Sequence, residues 1–227
     1  MIPWIETPHE FPPVNTALAE PNGLLCAGAD LEAATIVAAY SRGIFPWFSD
    51  GQPILWWSPD PRMVLFPAEF KVSRSLAKTI SRGTFEIRFD TAFADVISAC
   101  SEPRREDGGT WIVPEMRAAY AQLHTLGVAH SIESWRDGQL VGGLYGLALG
   151  RMFFGESMFA RQTDASKVAL VALIDKLKHD GFELIDCQQE TRHLASFGAR
   201  PIPRQDFVQR LKELIDLKQS GSAWRQI

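Results

Sequence analysis

HSIESWRDGQLVGGLYGLALGRMFFGESMFARQTDASKVALVALIDKLKHDGFELIDCQ, residues 130–188, carries two hydrophobic periods in succession. The first is two residues long. His130 to Trp135, Leu140 to Leu149 and Met152 to Phe159 read as three strands. Asp137-Gly138 between the first two is a strong hairpin turn, and Gly150-Arg151 fits a type II′ turn, so the three form a meander. The period then lengthens. Thr163 or Asp164 caps a helix with Val168, Val171, Ile174 and Leu177 inward, and Gly181 ends it. Phe182 to Gln188 is a further strand. Antiparallel strands, then a helix, then a strand, make an α+β domain.

Upstream, the pattern predicts three helices. One runs from Ser73 to Arg82, capped by Ser73 and closed by Gly83, with Leu76 and Ile80 toward the core. Others span Thr91 to Cys100 and Pro114 to Gly127, the second opening on a proline at a favoured first position. Residues 1–62 differ in being rich in Pro, Gly and Trp. They hold one clear helix, with Asp30 as N-cap, a stripe of Leu31, Ala34, Val37 and Ala38, and Gly43 as stop. The segments Ile44 to Phe48 and Trp56 to Arg62 are punctuated by prolines and read as aromatic-lined loops or short edge strands, not a central sheet. The boundary falls near residue 62, giving a small N-terminal domain, 1–62, and a larger one, 63–227. Downstream of Gln188 come two helical segments, and the tail Gln219-Ser220-Gly221-Ser222 reads as disordered.

The 227 residues suit one large domain with a smaller companion, and 46% hydrophobic with 22% charged is an ordinary globular balance. Cys26, Cys100 and Cys187 are far apart and odd in number, so neither a zinc site nor a disulfide framework is expected, and a reducing, cytoplasmic home is. No apolar run approaches the roughly 20 residues a bilayer requires. Met1 to Glu6 show no signal-peptide pattern. The net charge of −4 does not advertise nucleic-acid binding, so any such surface must be a local patch. There is no phosphate-binding G-x-x-x-x-G-K-[ST], no G-x-S-x-G elbow, and no metal spacing among the five histidines; no cofactor or metal is expected.

Chemistry concentrates in two strands. In Phe182 to Gln188, alternation puts Leu184, Asp186 and Gln188 on one face. A carboxylate amid apolar residues is either held in a structural ion pair or poised for a task. Glu156 likewise shares a face with Phe154 and Met158, beside Gly155, where a ligand could approach; a bulge glycine next to a rim glutamate fits the pattern as well. Arg74, Lys78 and Arg82 form one helical stripe, with Lys71 just before it and no interrupting acid. Such a stripe is either a solvated face or a phosphate contact. Trp111, after Gly108-Gly109-Thr110 and before a helix, is the best placed of seven tryptophans to stack an unpaired base.

The strand and helix order matches the core of the N-acetyltransferase fold. The pyrophosphate loop R/Q-x-x-G-x-G/A is missing, however: Arg161 to Ser166 contain no glycine, and acetyl-coenzyme A is a poor fit. In sequence, the chain resembles the bacterial leucyl/phenylalanyl-tRNA–protein transferases. The resemblance rests on Gly43-Ile44-Phe45-Pro46-Trp47, Trp56 to Arg62, Gly109-Thr110-Trp111-Ile112, His130 to Glu133, Val141 to Gly146, Phe154 to Phe159 and Leu184 to Gln188, in order over nearly the whole chain. It is weaker after Gln188, and Thr191 is assigned no acceptor-binding role.

The resemblance implies a small N-terminal domain and an N-acetyltransferase-like C-terminal domain. It implies transfer of Leu or Phe, and Met as a further candidate, from aminoacyl-tRNA to proteins with an N-terminal Lys or Arg, marking them for the N-end rule pathway. Asp186 with Gln188 resembles the family's proton-withdrawing pair, and Glu156 the residue lying by the substrate. Leu144, Phe153, Met158, Leu170, Leu173 and Ile185 are implied as the wall of the side-chain pocket. Alternation sets Phe153 opposite Met158, so the six can line one surface only if a bulge at Gly155 re-aims one. Lys71, Arg74, Lys78 and Arg82 would take the tRNA backbone, and Trp111 its terminal adenine. Two rivals are a cell-wall type peptidyltransferase, for which the chain is short, and a non-catalytic RNA-binding module, which leaves Asp186, Gln188 and Glu156 without a task.

Overall fold

The computed structural model describes residues 2–102, 110–215 and Trp224. Two sheets organise it. The smaller contains β1 (Trp4–Ile5), β2 (Leu24–Gly28), β3 (Phe45–Pro46) and β4 (Leu55–Trp57), in the order β1-β2-β4-β3. Helix α1 (Ala33–Tyr40) lies between β2 and β3 in sequence. β4 is thus an interior strand, against the expectation of loops or edges alone. The reason is local: Pro53 and Pro59 flank β4 without entering it, and Pro46 sits on the edge strand β3. Trp56 is fully buried, meets Phe11 edge-on and donates its indole N–H to the Gly28 carbonyl at 2.9 Å. Asp30 is not the N-cap of α1. Glu32 occupies that position, and Asp30 accepts the Glu32 N–H one turn earlier.

The larger sheet contains β5 (Arg62–Leu65), β6 (Glu86–Phe89), β7 (Ala129–Arg136), β8 (Gln139–Leu149), β9 (Met152–Ala160), β10 (Leu184–Gln188) and β11 (Arg200–Ile202). Their order is β11-β5-β10-β9-β8-β7-β6. The meander β7-β8-β9 is as expected, with Asp137 and Gly138 both at positive φ, the requirement of a type I′ hairpin turn. β9 and β10 run parallel, joined by α5 (Ala165–His179) as crossover. The remaining helices are α2 (Arg74–Ser81), α3 (Phe93–Ser101), α4 (Pro114–Thr125), α6 (Arg192–Ala195) and α7 (Arg204–Leu214). Ser73 caps α2 as expected, its hydroxyl accepting the Leu76 N–H. Ile80 does not turn to the core: it is 36% exposed, and Leu76 alone anchors that helix. Strands β1, β2, β5, β6 and β11 had no counterpart in the sequence reading. The segment 219–222 and glycines 108–109 lie outside the described residues.

Helices cover both faces of the large sheet. On one face, Val96, Met116, Tyr120 and Phe207 pack against Tyr145, Leu147, Phe154 and Leu184. Tyr40, Phe45 and Trp57, from the N-terminal part, belong to this same cluster, so the core runs without interruption from the small sheet to the large one. On the other face, Leu76 of α2 and Val168, Leu173, Ile174 and Leu177 of α5 cover Ile132, Leu144, Phe153 and Ile185. Each fully buried side chain of this size contributes about 1.5–3 kcal/mol relative to leaving it in water. The architecture is α+β, with a small N-terminal sheet beside the large mixed one.

Candidate active site

Two backbone irregularities open the site. The β9–β10 ladder pairs Met152 with Leu184, Phe153 with Ile185 and Phe154 with Asp186, and goes no further. Just beyond, the β8–β9 register slips. Gly146 faces Gly155, but Tyr145 faces Ser157, leaving Glu156 as the extra residue of a bulge. A bulge exchanges the two faces of a strand for every residue past it. Phe153 therefore points to the α5 side before the slip and Met158 after it. Glycine is required at 146, where a Cβ would sit 2.1 Å from the Phe154 carbonyl oxygen, whereas at Gly155 a Cβ would meet nothing closer than 3.8 Å. On β10 the register against β5 slips as well: Asp186 faces Val64 and Gln188 faces Met63, leaving Cys187 as the extra residue, and Gln188 has a φ of +54°.

Between the diverging strands lies a cavity of about 550 Å³. All six residues expected in the side-chain pocket line it: Leu144, Phe153, Met158, Leu170, Leu173 and Ile185. The bulge at Glu156 is what permits this, as the strand alternation demanded. Glu156 and Gln188 lie on its polar edge together with Ser157, Gln189, Thr191 and His193, and Gln188 Nε2 donates to Glu156 Oε1 at 3.3 Å. Trp111 and Trp47 also line it; Trp111 is half-buried and Trp47 is 37% exposed. Cys187 lines it too, but burial holds its thiol well above the usual range, which disfavours the nucleophilic thiolate.

Asp186 is elsewhere. Its side chain is completely buried and is held bidentately by Arg62, with Nε to Oδ1 at 2.8 Å and Nη2 to Oδ2 at 2.7 Å. Arg62 also donates Nη1 to the Gly43 carbonyl and sits 4.8 and 4.7 Å from the ring centres of Phe45 and Phe207. The expectation that Asp186 and Gln188 share a face fails because the register slip at Cys187 breaks the alternation, setting Asp186 beside Val64 and Gln188 beside Met63, which pack on opposite faces. What links them is the backbone: Gln188 N–H donates to Asp186 Oδ1 at 2.9 Å.

Glu156 has a different environment. Its two carboxyl oxygens lie 2.8 Å from the Tyr40 hydroxyl and 3.0 Å from the Tyr120 hydroxyl, and those hydroxyls are 2.6 Å apart. Three oxygen–oxygen contacts close a ring, yet two tyrosines supply only two protons. A protonated Glu156 would supply the third; an ionised one accepts from both hydroxyls, the form that can receive a proton. Burial pushes the Glu156 carboxyl up to about 8, with the tyrosyl hydrogen bonds opposing and Asp186 adding to the shift. Both tyrosyl hydroxyls are raised well above their ordinary value, first by burial and then by Glu156.

Tyr40, Tyr120 and Arg62 were not singled out from sequence. The tyrosines sit on helices α1 and α4 at positions that read as core, and Arg62 is 124 residues from its partner. Trp47 belonged to a motif that was quoted without assigning it a task. Lys71, Arg74, Lys78 and Arg82 are all exposed, and none is in an ion pair among the described residues. Helix α2 packs on α5, so the stripe lies on the same face of the sheet as the cavity. Among the described residues no group of three His, Cys, Asp or Glu could hold a metal ion, and no helix is long and apolar enough to cross a membrane.

Two family profiles match the chain in order. Residues 29–60 match the leucyl/phenylalanyl-tRNA protein transferase N-terminal domain, and residues 64–212 match leucyl/phenylalanyl-tRNA protein transferase. A leucyl/phenylalanyl-tRNA–protein transferase of Nitrosospira multiformis is 60% identical over 224 residues, covering 99% of this chain and 97% of that one. Those of Chromobacterium violaceum and Stutzerimonas stutzeri are 59% and 57% identical, each over 99% of this chain and 96% and 100% of theirs. Among solved structures, an aminoglycoside acetyltransferase from an uncultured soil metagenomic sample gives a TM-score of 0.39 at 12% identity, over 64% of this chain and 98% of that one. A ribosomal-protein-alanine N-acetyltransferase from Brucella melitensis gives 0.30 at 18%, over 42% and 73%. The relatives define the class as an aminoacyltransferase that acts on proteins. The chain belongs to the leucyl/phenylalanyl-tRNA–protein transferase family.

Proposed function

We propose that the cavity takes the side chain of leucine or phenylalanine carried as an ester on tRNA, and that the enzyme moves it onto the N-terminal amine of a protein beginning with Lys or Arg. The observation that carries this reading is an apolar cavity whose polar edge includes Glu156 and Gln188. Methionine, flexible and similar in volume, fits the same wall. The product's new N-terminal residue would act as an N-end rule degradation signal, in the cytoplasm. Residues 1–62 would act as a small domain that completes the site, and 63–227 as the catalytic domain.

The tRNA ester is already activated, so the residues need only bind, orient and move protons. The acceptor amine, with a pKa of about 7.7–8.0, must be neutral to attack. Its nitrogen bonds to the ester carbonyl carbon, the carbon–oxygen bond to ribose breaks, and the ribose oxygen takes a proton. Glu156, poised near 8, suits receipt of the amine proton and its return to the ribose oxygen. Tyr40 and Tyr120 hold its carboxyl in place. Gln188 orients the reacting groups beside it. Asp186 is enclosed with Arg62, and its part is to hold Gln188 through the backbone rather than to take a proton. Trp111, with Trp47 beside the same cavity, would stack on the terminal adenine. Lys71, Arg74, Lys78 and Arg82 would contact tRNA phosphates.

The test is transfer itself. The protein is incubated with leucyl-tRNA and a model protein beginning with Arg, and the acceptor is weighed by mass spectrometry. One added leucine at the N-terminus is expected; no mass gain with any charged tRNA would overturn the reading.

A further inference from the structure

Phe153 forms part of the cavity wall, and its ring is held from behind. On one side it lies against Gly146, where a Cβ would come within 2.6 Å of Cε1 and 2.7 Å of Cζ. That side is closed by backbone and cannot yield. On another side the ring is stacked on Trp224, with centroids 6.0 Å apart and planes inclined by 25°. Trp224 is itself held on several sides. Its ring stacks on His130 at 4.2 Å, lies 4.6 Å from the buried Lys176 amine, and meets Phe182 edge-on at 6.5 Å. His130 is fixed in turn by Asp90, whose Oδ2 is 2.8 Å from its Nδ1. The indole is packed between β7, β9 and α5.

We infer that Trp224 is a specificity-determining positioning residue: by backing Phe153 it sets the depth of the cavity and so the choice among aminoacyl side chains. The inference rests on reading the cavity as the aminoacyl side-chain pocket. Phe153 cannot retreat toward Gly146, and the Trp224 indole backs it on another side. Removing the indole gives the phenyl ring space to withdraw, and the cavity gains room at Phe153. Side chains that the narrower cavity rejects, such as the β-branched isoleucine, then gain relative to leucine. A change of roughly one methylene in pocket size alters discrimination by about 10–200-fold. The expected shift is at the low end, about tenfold, because the ring is displaced and not deleted.

The experiment measures kcat/KM for Leu-, Phe- and Ile-charged forms of one tRNA body, with wild type, Trp224→Ala, Trp224→Leu, Trp224→Phe and Phe153→Ala. Melting temperatures are measured in parallel. Trp224→Ala should raise the Ile-to-Leu ratio about tenfold, Trp224→Leu less, and Trp224→Phe should restore the wild-type ratio. A role in stability alone would lower all three rates by one common factor. If Phe153→Ala shifts the ratios and no Trp224 variant does, the inference is overturned and the pocket reading stands. If Phe153→Ala leaves the ratios unchanged, the pocket reading itself falls and the inference with it. Should Trp224→Ala fail to fold, Trp224→Leu decides the matter in the same way.

Discussion

Replacing Arg62 with methionine strands Asp186 as an unpaired charge with no access to water. Breaking a buried ion pair from one side typically costs about 3–5 kcal/mol, a large part of the 5–15 kcal/mol that holds a domain together. For a chain of this length about 2–4 °C of melting temperature goes with each kcal/mol, so Arg62→Met should melt roughly 6–20 °C below wild type. Asp186→Leu should lose a comparable amount by stranding Arg62. The double variant Arg62→Met/Asp186→Leu leaves no unpaired charge at this position, and its melting temperature should return close to wild type. Its activity should not return, because the Gln188 N–H has lost its acceptor at 2.9 Å. A misplacement of about 1 Å at a reacting group is worth roughly 10²-fold, and that is the expected loss in kcat/KM. Asp186→Asn separates geometry from charge. It strands Arg62 as Asp186→Leu does and should melt lower, but it keeps an oxygen for the Gln188 N–H, so the folded enzyme should stay within about tenfold of wild type. The assays are thermal unfolding and aminoacyl transfer under single-turnover conditions. An Asp186→Asn enzyme as slow as Asp186→Leu would refute the argument, since the ionised carboxylate itself would then be needed.

The Glu156 carboxyl and the acceptor amine both ionise near pH 8, so below pH 7 the logarithm of kcat/KM should climb with pH at a slope of ~2 for wild type and ~1 for Glu156→Gln. Equal slopes would remove Glu156 from proton transfer. Because its folded pKa lies above the unfolded value, Glu156 favours the folded state fully below about pH 4.5 and loses that contribution as pH rises through about 8. Glu156→Gln should therefore melt progressively higher relative to wild type across that interval, as denaturation at several pH values would show. Reversing Arg74, Lys78 and Arg82 to Glu should weaken every tRNA alike and flatten the salt dependence of binding. Unchanged affinity and slope in a filter-binding titration would mark the stripe as a solvated face. Trp111→Ala should weaken binding of a charged tRNA by about 1–3 kcal/mol while leaving a tRNA that lacks its 3′ adenosine unaffected.

The meander and the crossover helix were legible because their signals are local. Asp137-Gly138 can be little else than a hairpin turn, and α5 shows its inward stripe in consecutive turns. β5 and β11 were not legible, since each is a few residues long and is defined by its partners: Val64 pairs with both Asp186 and Arg200. The pocket wall was carried mainly by position within the resembling motifs, and its one internal contradiction, Phe153 against Met158, pointed correctly to a bulge near Gly155. Asp186 was recognised as an anomaly on an apolar strand, but whether it was paired or poised depended on a residue 124 positions away. The tyrosines around Glu156 were hidden for a related reason. Tyr40 and Tyr120 are fully buried, and nothing in their helices distinguishes a tyrosine packed for its ring from one placed for its hydroxyl.

Tyr40 comes from α1, near the start of the chain, and Gln188 from the end of β10. Both reach Glu156, so the carboxyl takes a hydrogen bond that holds it in place from an early part of the polypeptide and its amide neighbour from a late one. The tyrosine meets its partners on α4 and β9, and Gln188 joins the carboxyl only with β10. The set of groups around Glu156 is therefore incomplete without both α1 and β10. A cut between α1 and β9 that let the pieces part would take Tyr40 from the carboxyl while leaving every cavity-lining residue of β9, β10 and α5 in place.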